Sequence, residues 1–192
     1  MGMVSLMWLI YLAAGPKLSF YILLGFAMVL LPIDLIRPKF PELNRLVIRM
    51  MGPVMRQSES NAASGVTYLI IGTCVLLLFP PSIVKLVLLF LAFGDPIASF
   101  FGVKFGKDKI LGNKTLQGTM AAFITCTIIS AIYYYVQNIM TERLFIVAPL
   151  SGVIGAFAEL VPVAKLDDNF TIPVMSAVLL WGLFHLFGGF PV

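Results

Sequence analysis

Cysteine, histidine and charge are all scarce in this chain. Of 192 residues, two are cysteine and one is histidine. Cys74 and Cys126 fall in apolar stretches with no ligand spacing, so small core residues are expected there. His185 stands alone near the end of the last apolar stretch and is read as packing or an interfacial hydrogen bond. Only 11% of the residues are charged against 60% hydrophobic, and the mean hydropathy is +1.01. A soluble domain of this size could not hide that much apolar surface, because too much of its volume lies near water. A soluble globular domain is therefore excluded. What remains is an all-α integral membrane protein, with residues 1–192 forming one transmembrane domain.

A basic leader and an Ala-x-Ala cleavage site are also missing from the first apolar stretch, Met1 to Ala14. That argues against a signal peptide and for a short or tilted first helix. Six further apolar stretches run at about 18–36, 64–79, 82–103, 117–140, 145–163 and 170–190, near the length of about 20 residues that a spanning helix needs. Seven transmembrane helices are expected. Ten of the thirteen basic residues fall in the loops after the second, fourth and sixth spans, leaving Lys17, Lys85 and Arg143 for the other side. By the positive-inside bias those loops and the amino terminus face the cytoplasm, with the carboxyl terminus opposite. The net charge of +4 then reflects topology and needs no nucleic acid to explain it.

The few acids gather by depth. Asp34 lies three residues before Arg37 and is read as an i,i+3 pair snorkelling at the interface. Glu159 closes the sixth span, and Asp167 and Asp168 follow in "ELVPVAKLDDNFTIP". Asp95 lies within the fourth span, in Gly94-Asp95-Pro96. A carboxylate in hydrocarbon costs about 2.5–3.5 kcal/mol on insertion scales, so one that persists faces a partner or a watery cavity. Pro96 lacks an amide hydrogen and biases Asp95 away from helical angles, so the fourth helix is expected to be broken there. Small residues repeat every four positions at Gly94, Ala98, Gly102 and Gly106, and the same spacing recurs at Ser151, Gly155 and Glu159 and at Ala148, Gly152 and Ala156. Such ridges let helices approach closely, and they make the fourth and sixth spans plausible neighbours.

No Walker loop is present. "GVKFGKDK" has three residues between its glycines where four are needed, and Lys107 precedes Asp108 instead of Ser or Thr. What survives is a flexible basic loop with Lys107, Lys109, Asn113, Lys114 and Thr115 as donors. Lysines beside carboxylates suit phosphate held together with a divalent cation.

The ordered set Gly94-Asp95-x-x-Ala98, Gly102, Phe105-Gly106-Lys107 and Lys114-Thr115-x-x-Gly118-Thr119 resembles the CTP-dependent lipid-alcohol kinases. These include dolichol kinase, phytol kinase and the yeast-type diacylglycerol kinase. Glu159, Pro162, Asp167-Asp168-Asn169 and Thr171-Ile172-Pro173 resemble the same family, as do Arg56 and Glu59 more weakly. The resemblance implies transfer of the terminal phosphoryl group of CTP to a membrane lipid alcohol, with the bilayer and that lipid as partners. The choice of CTP rests on the resemblance alone. Within that reading Asp95, Asp167 and Asp168 would hold Mg²⁺. Lys107, Lys114 and Arg56 would neutralise phosphate, with Asn113, Thr115 and Asn169 in the nucleotide site. Asp95, Glu159 and Asp168 form the catalytic set, and Glu159 or one of the aspartates would accept the hydroxyl proton. The chain departs from the family in lacking a basic stretch and histidine ahead of its first helix, and in carrying Gln117 where many relatives have Glu. Two other readings stay open: a CTP-dependent lipid-phosphate cytidylyltransferase, and a small cation-coupled transporter.

Overall fold

In the computed structural model, residues 2–51, 64–162 and 166–190 are described. Arg56, Glu59 and Lys165 lie outside them. Apolar stretches in hydrocarbon must satisfy every backbone group internally, and the chain does so with helices. In order these are α1 (Gly2–Ile36), a 3-10 turn (Arg37–Lys39), α2 (Pro41–Met51), α3 (Gly65–Leu76), α4 (Pro81–Leu89), a π turn (Phe90–Gly94) and α5 (Asp95–Phe105). A short hairpin of β1 (Lys109–Leu111) and β2 (Lys114–Thr115) follows, then α6 (Leu116–Val136), α7 (Leu144–Leu160) and α8 (Asp168–Phe187). Among the described residues five segments are long and apolar enough to cross a membrane, and α3 is a shorter apolar helix.

The first two expected spans are the two limbs of α1. Gly15 breaks the helix between them at φ 73, ψ 173, a backbone conformation that glycine tolerates and other residues resist. The bend is sharp, since the Ser19 hydroxyl donates to the Ile10 carbonyl at 3.2 Å. In a straight helix nine residues would separate the two by about 13.5 Å. Both limbs contribute to the core, through Met7 and Tyr11 on one side of the bend and Leu23 on the other.

The expected irregularity in the fourth span is present, but in another form. Asp95 keeps helical angles, φ −62 and ψ −48, contrary to the bias expected from Pro96. The π turn immediately before it absorbs the misfit: the Asp95 amide donates five residues back, to the Phe90 carbonyl. One extra residue in the turn makes room for the proline ring while the helix runs on. The basic loop is likewise more ordered than expected. Gly112, at φ 57, and Asn113 turn the chain between β1 and β2, and the Leu116 amide donates to the Asp108 carbonyl at 2.8 Å.

Small residues set the helix seams. A Cβ on Gly94 would come within 2.8 Å of the Cys126 sulfur, and one on Gly155 within 2.6 Å of the same atom. Ala98 of α5, Ala122 of α6 and Ala156 of α7 form one buried cluster. The ridges on α5 and α7 therefore meet through α6, with the π turn touching α7 directly where Phe90 lies 3.2 Å from the Gly155 Cβ position. Outward, Val103, Phe145 and Leu186 are at least 79% exposed, as lipid-facing side chains are.

At Gly152 an added Cβ would run into the Thr127 hydroxyl and lie 2.9 Å from the Phe123 carbonyl, whereas at Gly182 nothing stands within 4 Å. Gly152→Ala should cost about 1–3 kcal/mol through overpacking. Thermal unfolding in detergent should show a lowered midpoint for Gly152→Ala and none for Gly182→Ala.

Candidate active site

Three chain segments bring charge together at one end of the bundle. The last turn of α7 carries Glu159, which is 6% exposed; β2 carries Lys114; the first turn of α8 carries Asp168. The Lys114 ammonium donates to Glu159 Oε1 at 2.8 Å and to Asp168 Oδ2 at 3.0 Å. A buried carboxylate needs such a partner, because leaving water without one costs several kcal/mol. Burial presses the Lys114 ammonium downward, but the hydrogen bonds and charges of Glu159 and Asp168 outweigh that and lift it above the usual lysine value. With its carboxylate partners ionised, the attraction is fully present up to a pH of about 10.5, and on the alkaline side it is lost only as pH rises through a still higher value.

A cavity of about 330 Å³ opens beside this triad, lined by Ala98, Ser99, Gly102, Val103 and Gly106, by Lys109, Asn113, Lys114, Thr115 and Gly118, and by Glu159. Glu159 Oε2 is buried with no hydrogen-bond partner. Its walls are built by close backbone approach. Thr115 caps α6 by accepting from the Gly118 amide at 3.3 Å, and its hydroxyl sits 3.2 Å from where a Gly102 Cβ would stand. A Gly106 Cβ would meet the Gly102 carbonyl and the Thr115 methyl, and a Gly118 Cβ would lie 2.9 Å from the Ala98 carbonyl. Glycine is required at Gly106 and Gly118 for the hairpin to lie this close to α5 and α6.

The structure brings Glu159, Lys114, Asn113 and Thr115 to one cavity, with Asp168 bonded to the shared lysine. Lys107 lies on the other side of Gly106, in an adjoining cleft of about 400 Å³ with Lys104 and Gln117. Asp95 is half-buried on α5, one helical turn from Ala98 and Ser99. Asp167 is the N-cap of α8, accepting from the Asn169 amide at 2.9 Å. The Asn169 carbonyl in turn lies 3.0 Å from the Gly72 Cβ position, where α8 packs on α3. Among the described residues no three His, Cys, Asp or Glu side chains gather as a metal-binding group.

Asp34 and Arg37 pair as the sequence predicts, at 3.2 Å, but buried within the protein instead of snorkelling: they are 5% and 0% exposed. Asp34 Oδ2 also accepts from the Ser64 amide at 2.8 Å, the Ser64 hydroxyl at 2.9 Å and the Thr67 hydroxyl. These donors compensate the buried charge and fasten the end of α1 to the start of α3. His185 packs between Trp181 and Phe190, with ring centroids 4.4 and 4.8 Å away. Gln117 is the residue that sequence reasoning set aside. Its Oε1 accepts from the Lys107 amide at 3.1 Å and the Asp108 amide at 3.4 Å, while its Nε2 donates to Asp108 Oδ2 at 2.8 Å. A Gly-Asn dipeptide flanked by apolar residues is a hairpin signal, and it would have placed Asp108 opposite the start of α6.

A multi-pass helical membrane protein with a lysine–carboxylate triad at one end of its bundle is the class that the fold and site define. A curated "CTP-dependent diacylglycerol kinase 1" of Schizosaccharomyces pombe is 39% identical over 159 residues, covering 77% of this chain and 73% of that protein. Proteins of the same name from Saccharomyces cerevisiae and Eremothecium gossypii are 34% and 33% identical, over 80% and 83% of this chain. The chain spans 60% and 56% of their lengths. It belongs to the CTP-dependent diacylglycerol kinase family. No family model and no solved structure matches it.

Removing Lys114 strands Glu159. Lys114→Met should destabilise the protein by roughly 2–3 kcal/mol, less than a fully buried pair would, because a quarter of the lysine side chain remains in water. Adding Glu159→Gln should recover much of that loss, so the double variant should unfold at a higher temperature than Lys114→Met alone. Additive losses would show that the two groups do not depend on one another.

Proposed function

We propose that this protein transfers the γ-phosphoryl group of CTP to the hydroxyl of diacylglycerol, at the cytoplasmic face of a membrane. The observation that carries the reading is Lys114, held between Glu159 and Asp168 at the edge of a cavity that the hairpin closes. The names of the relatives support CTP as donor and diacylglycerol as acceptor. They give no support to cytidylyltransferase or transporter chemistry. The ten-to-three distribution of basic residues supports the cytoplasmic side.

Phosphoryl transfer asks the protein for in-line positioning and neutralisation of charge more than for covalent chemistry. Lys114 exchanges its carboxylate partners for phosphate oxygens when a triphosphate enters, and Lys109 and Asn113 add donors from the same wall. Lys107 reaches the nucleotide from the adjoining cleft, and Gln117 fixes the backbone at Lys107 and Asp108. Glu159 accepts the hydroxyl proton through its unpartnered oxygen. Mg²⁺ is commonly held by one or two carboxylates plus substrate phosphates, and the donor set fits that requirement because two carboxylates already converge on one cation. Asp168 would hold the ion, with Asp95 on α5 and Asp167 at the N-cap of α8 as the further carboxylates; the ion would offset negative charge on the transferring phosphate. The lipid approaches from α5, where Phe100, Val103 and Phe105 are exposed next to the cavity wall. A diacylglycerol presents its hydroxyl at headgroup depth while its chains stay in hydrocarbon, each buried methylene contributing about 0.8 kcal/mol.

Purified protein incubated with γ-labelled CTP, Mg²⁺ and diacylglycerol in mixed micelles should produce labelled phosphatidate. Label released as pyrophosphate, or no labelled lipid at all, would refute the kinase reading. Glu159→Gln should lower turnover about 100-fold or more, the contribution expected of a general base. Asp95→Asn should abolish turnover while the protein stays folded and inserted. Full activity in either variant removes that residue from the scheme.

A further inference from the structure

The segment Pro41–Met51 is a regular helix that none of this chemistry uses. It follows the bilayer-facing end of α1 after only a 3-10 turn and Phe40. Its residues divide by side. Leu43, Leu46 and Val47 fall on one face, while Glu42, Arg45 and Arg49 fall on another, at helical spacing. The apolar side is not closed off by the bundle: Leu46 is 54% exposed. Phe40 just ahead of the helix is 56% exposed, as are Leu35 at 61% and Ile36 at 44% on the end of α1. Exposed apolar side chains thus occur on the end of the membrane-spanning segment, at Phe40 and again on this helix.

We infer that α2 lies in the membrane interface, with its apolar side in the acyl boundary and its basic side among anionic lipid headgroups. The charge on the segment decides which lipids. Arg37 is committed to Asp34 inside the protein, so it contributes nothing outward. Lys39, Arg45 and Arg49 remain against the single acid Glu42, which Arg45 contacts at 2.8 Å with both side chains at least 75% exposed. A short helix that combines an apolar side with surplus basic charge at the end of a span binds bilayers of anionic lipid better than neutral ones. Seating α2 would also reach inward. The 3-10 turn joins it to the Asp34–Arg37 pair, which is bonded to Ser64 and Thr67 at the start of α3. A seated α2 would thus run directly into the buried pair that fastens the end of α1 to the start of α3. Among the described residues none of α2 lines the cavity beside Lys114 and Glu159, and the inference stands or falls independently of the kinase reading.

The test uses the full chain reconstituted in vesicles of phosphatidylcholine alone, or of phosphatidylcholine mixed with phosphatidylserine. Environment-sensitive fluorophores are placed on Leu46→Cys and, separately, on Arg45→Cys; Cys74 and Cys126 are buried, and the unsubstituted protein serves as labelling control. The label at 46 should emit at shorter wavelength than the label at 45. It should be quenched by brominated lipid and resist iodide, and the contrast should grow in the anionic vesicles. Arg45→Gln/Arg49→Gln in the Leu46→Cys background should abolish the difference between the two vesicle types. Iodide quenching of both labels alike would overturn the inference. So would a label at 46 shielded from iodide and brominated lipid together, because a protein surface would then cover the helix. Equal seating in neutral and anionic vesicles would overturn the assignment of anionic lipid.

Discussion

One buried carboxylate governs the architecture of the active end of this protein. Glu159 sits where water has little access, so it requires a positive partner, and the chain supplies that partner from a segment 45 residues away. Lys114 can reach it only if the hairpin folds down over α5 and α6. The hairpin can fold down only because Gly102, Gly106 and Gly118 leave room around Thr115. A single electrostatic requirement therefore fixes the position of a surface loop, the cap of α6 and the absence of side chains at Gly102, Gly106 and Gly118 along α5 and α6. Asp168 joins the same lysine, which ties the start of α8 to the end of α7 across their connection.

A second constraint holds the helices in the arrangement that this requirement presupposes. In a bilayer, apolar surface gains little by turning inward, so close backbone approach and buried hydrogen bonds have to select the neighbours. The seam around α6 does this with Cys126 between Gly94 and Gly155, with Thr127 against Gly152, and with the Tyr134 hydroxyl bonded to Ser151 at 2.7 Å. The π turn at Phe90–Gly94 belongs to the same seam. It rotates the helix beyond it by the width of one residue, so that Ala98 reaches Ala122 and Ala156 despite Pro96. Helix packing and site geometry are thus set by the same few positions.

Much of this was legible in the sequence, where composition or spacing acts locally. The spans follow from hydropathy because a bilayer permits little except helices. The Asp34–Arg37 pair follows from its three-residue spacing, and the small-residue ridges from their four-residue spacing. Burial was not legible for the Asp34 pair, because the donors that make it tolerable come from Ser64 and Thr67, some 30 residues on. The fourth and sixth spans do meet, at Phe90 against Gly155 and in the cluster of Ala98 with Ala156, but α6 lies between much of the two ridges, and the sequence reading did not single it out as the helix on which both pack. Asp95 was singled out for a proline effect that a π turn cancels, which local propensity rules do not anticipate. Gln117 was passed over because its three hydrogen bonds exist only once the hairpin has closed.

The charge balance at the triad bears on how the site can work. Two carboxylates share one ammonium there, so the centre carries surplus negative charge before any triphosphate arrives, and a triphosphate adds more. Lysine alone does not correct this, since Lys114 neutralises the acids only while it stays with them, and once it turns to phosphate it leaves both unpaired. Lys109 on the same wall contributes one further positive charge, which is still too few. On the proposed kinase reading, a cation entering with the nucleotide would offset the charge that Lys114 leaves behind, with Asp168 as its carboxylate and Glu159 left to accept the proton. The ion pair of the resting protein and the divalent ion of the proposed reaction are on this view two solutions to one electrostatic requirement. That accounts for a flexible lysine, whose charge can be moved, standing at the position where a rigid arginine would hold both acids permanently.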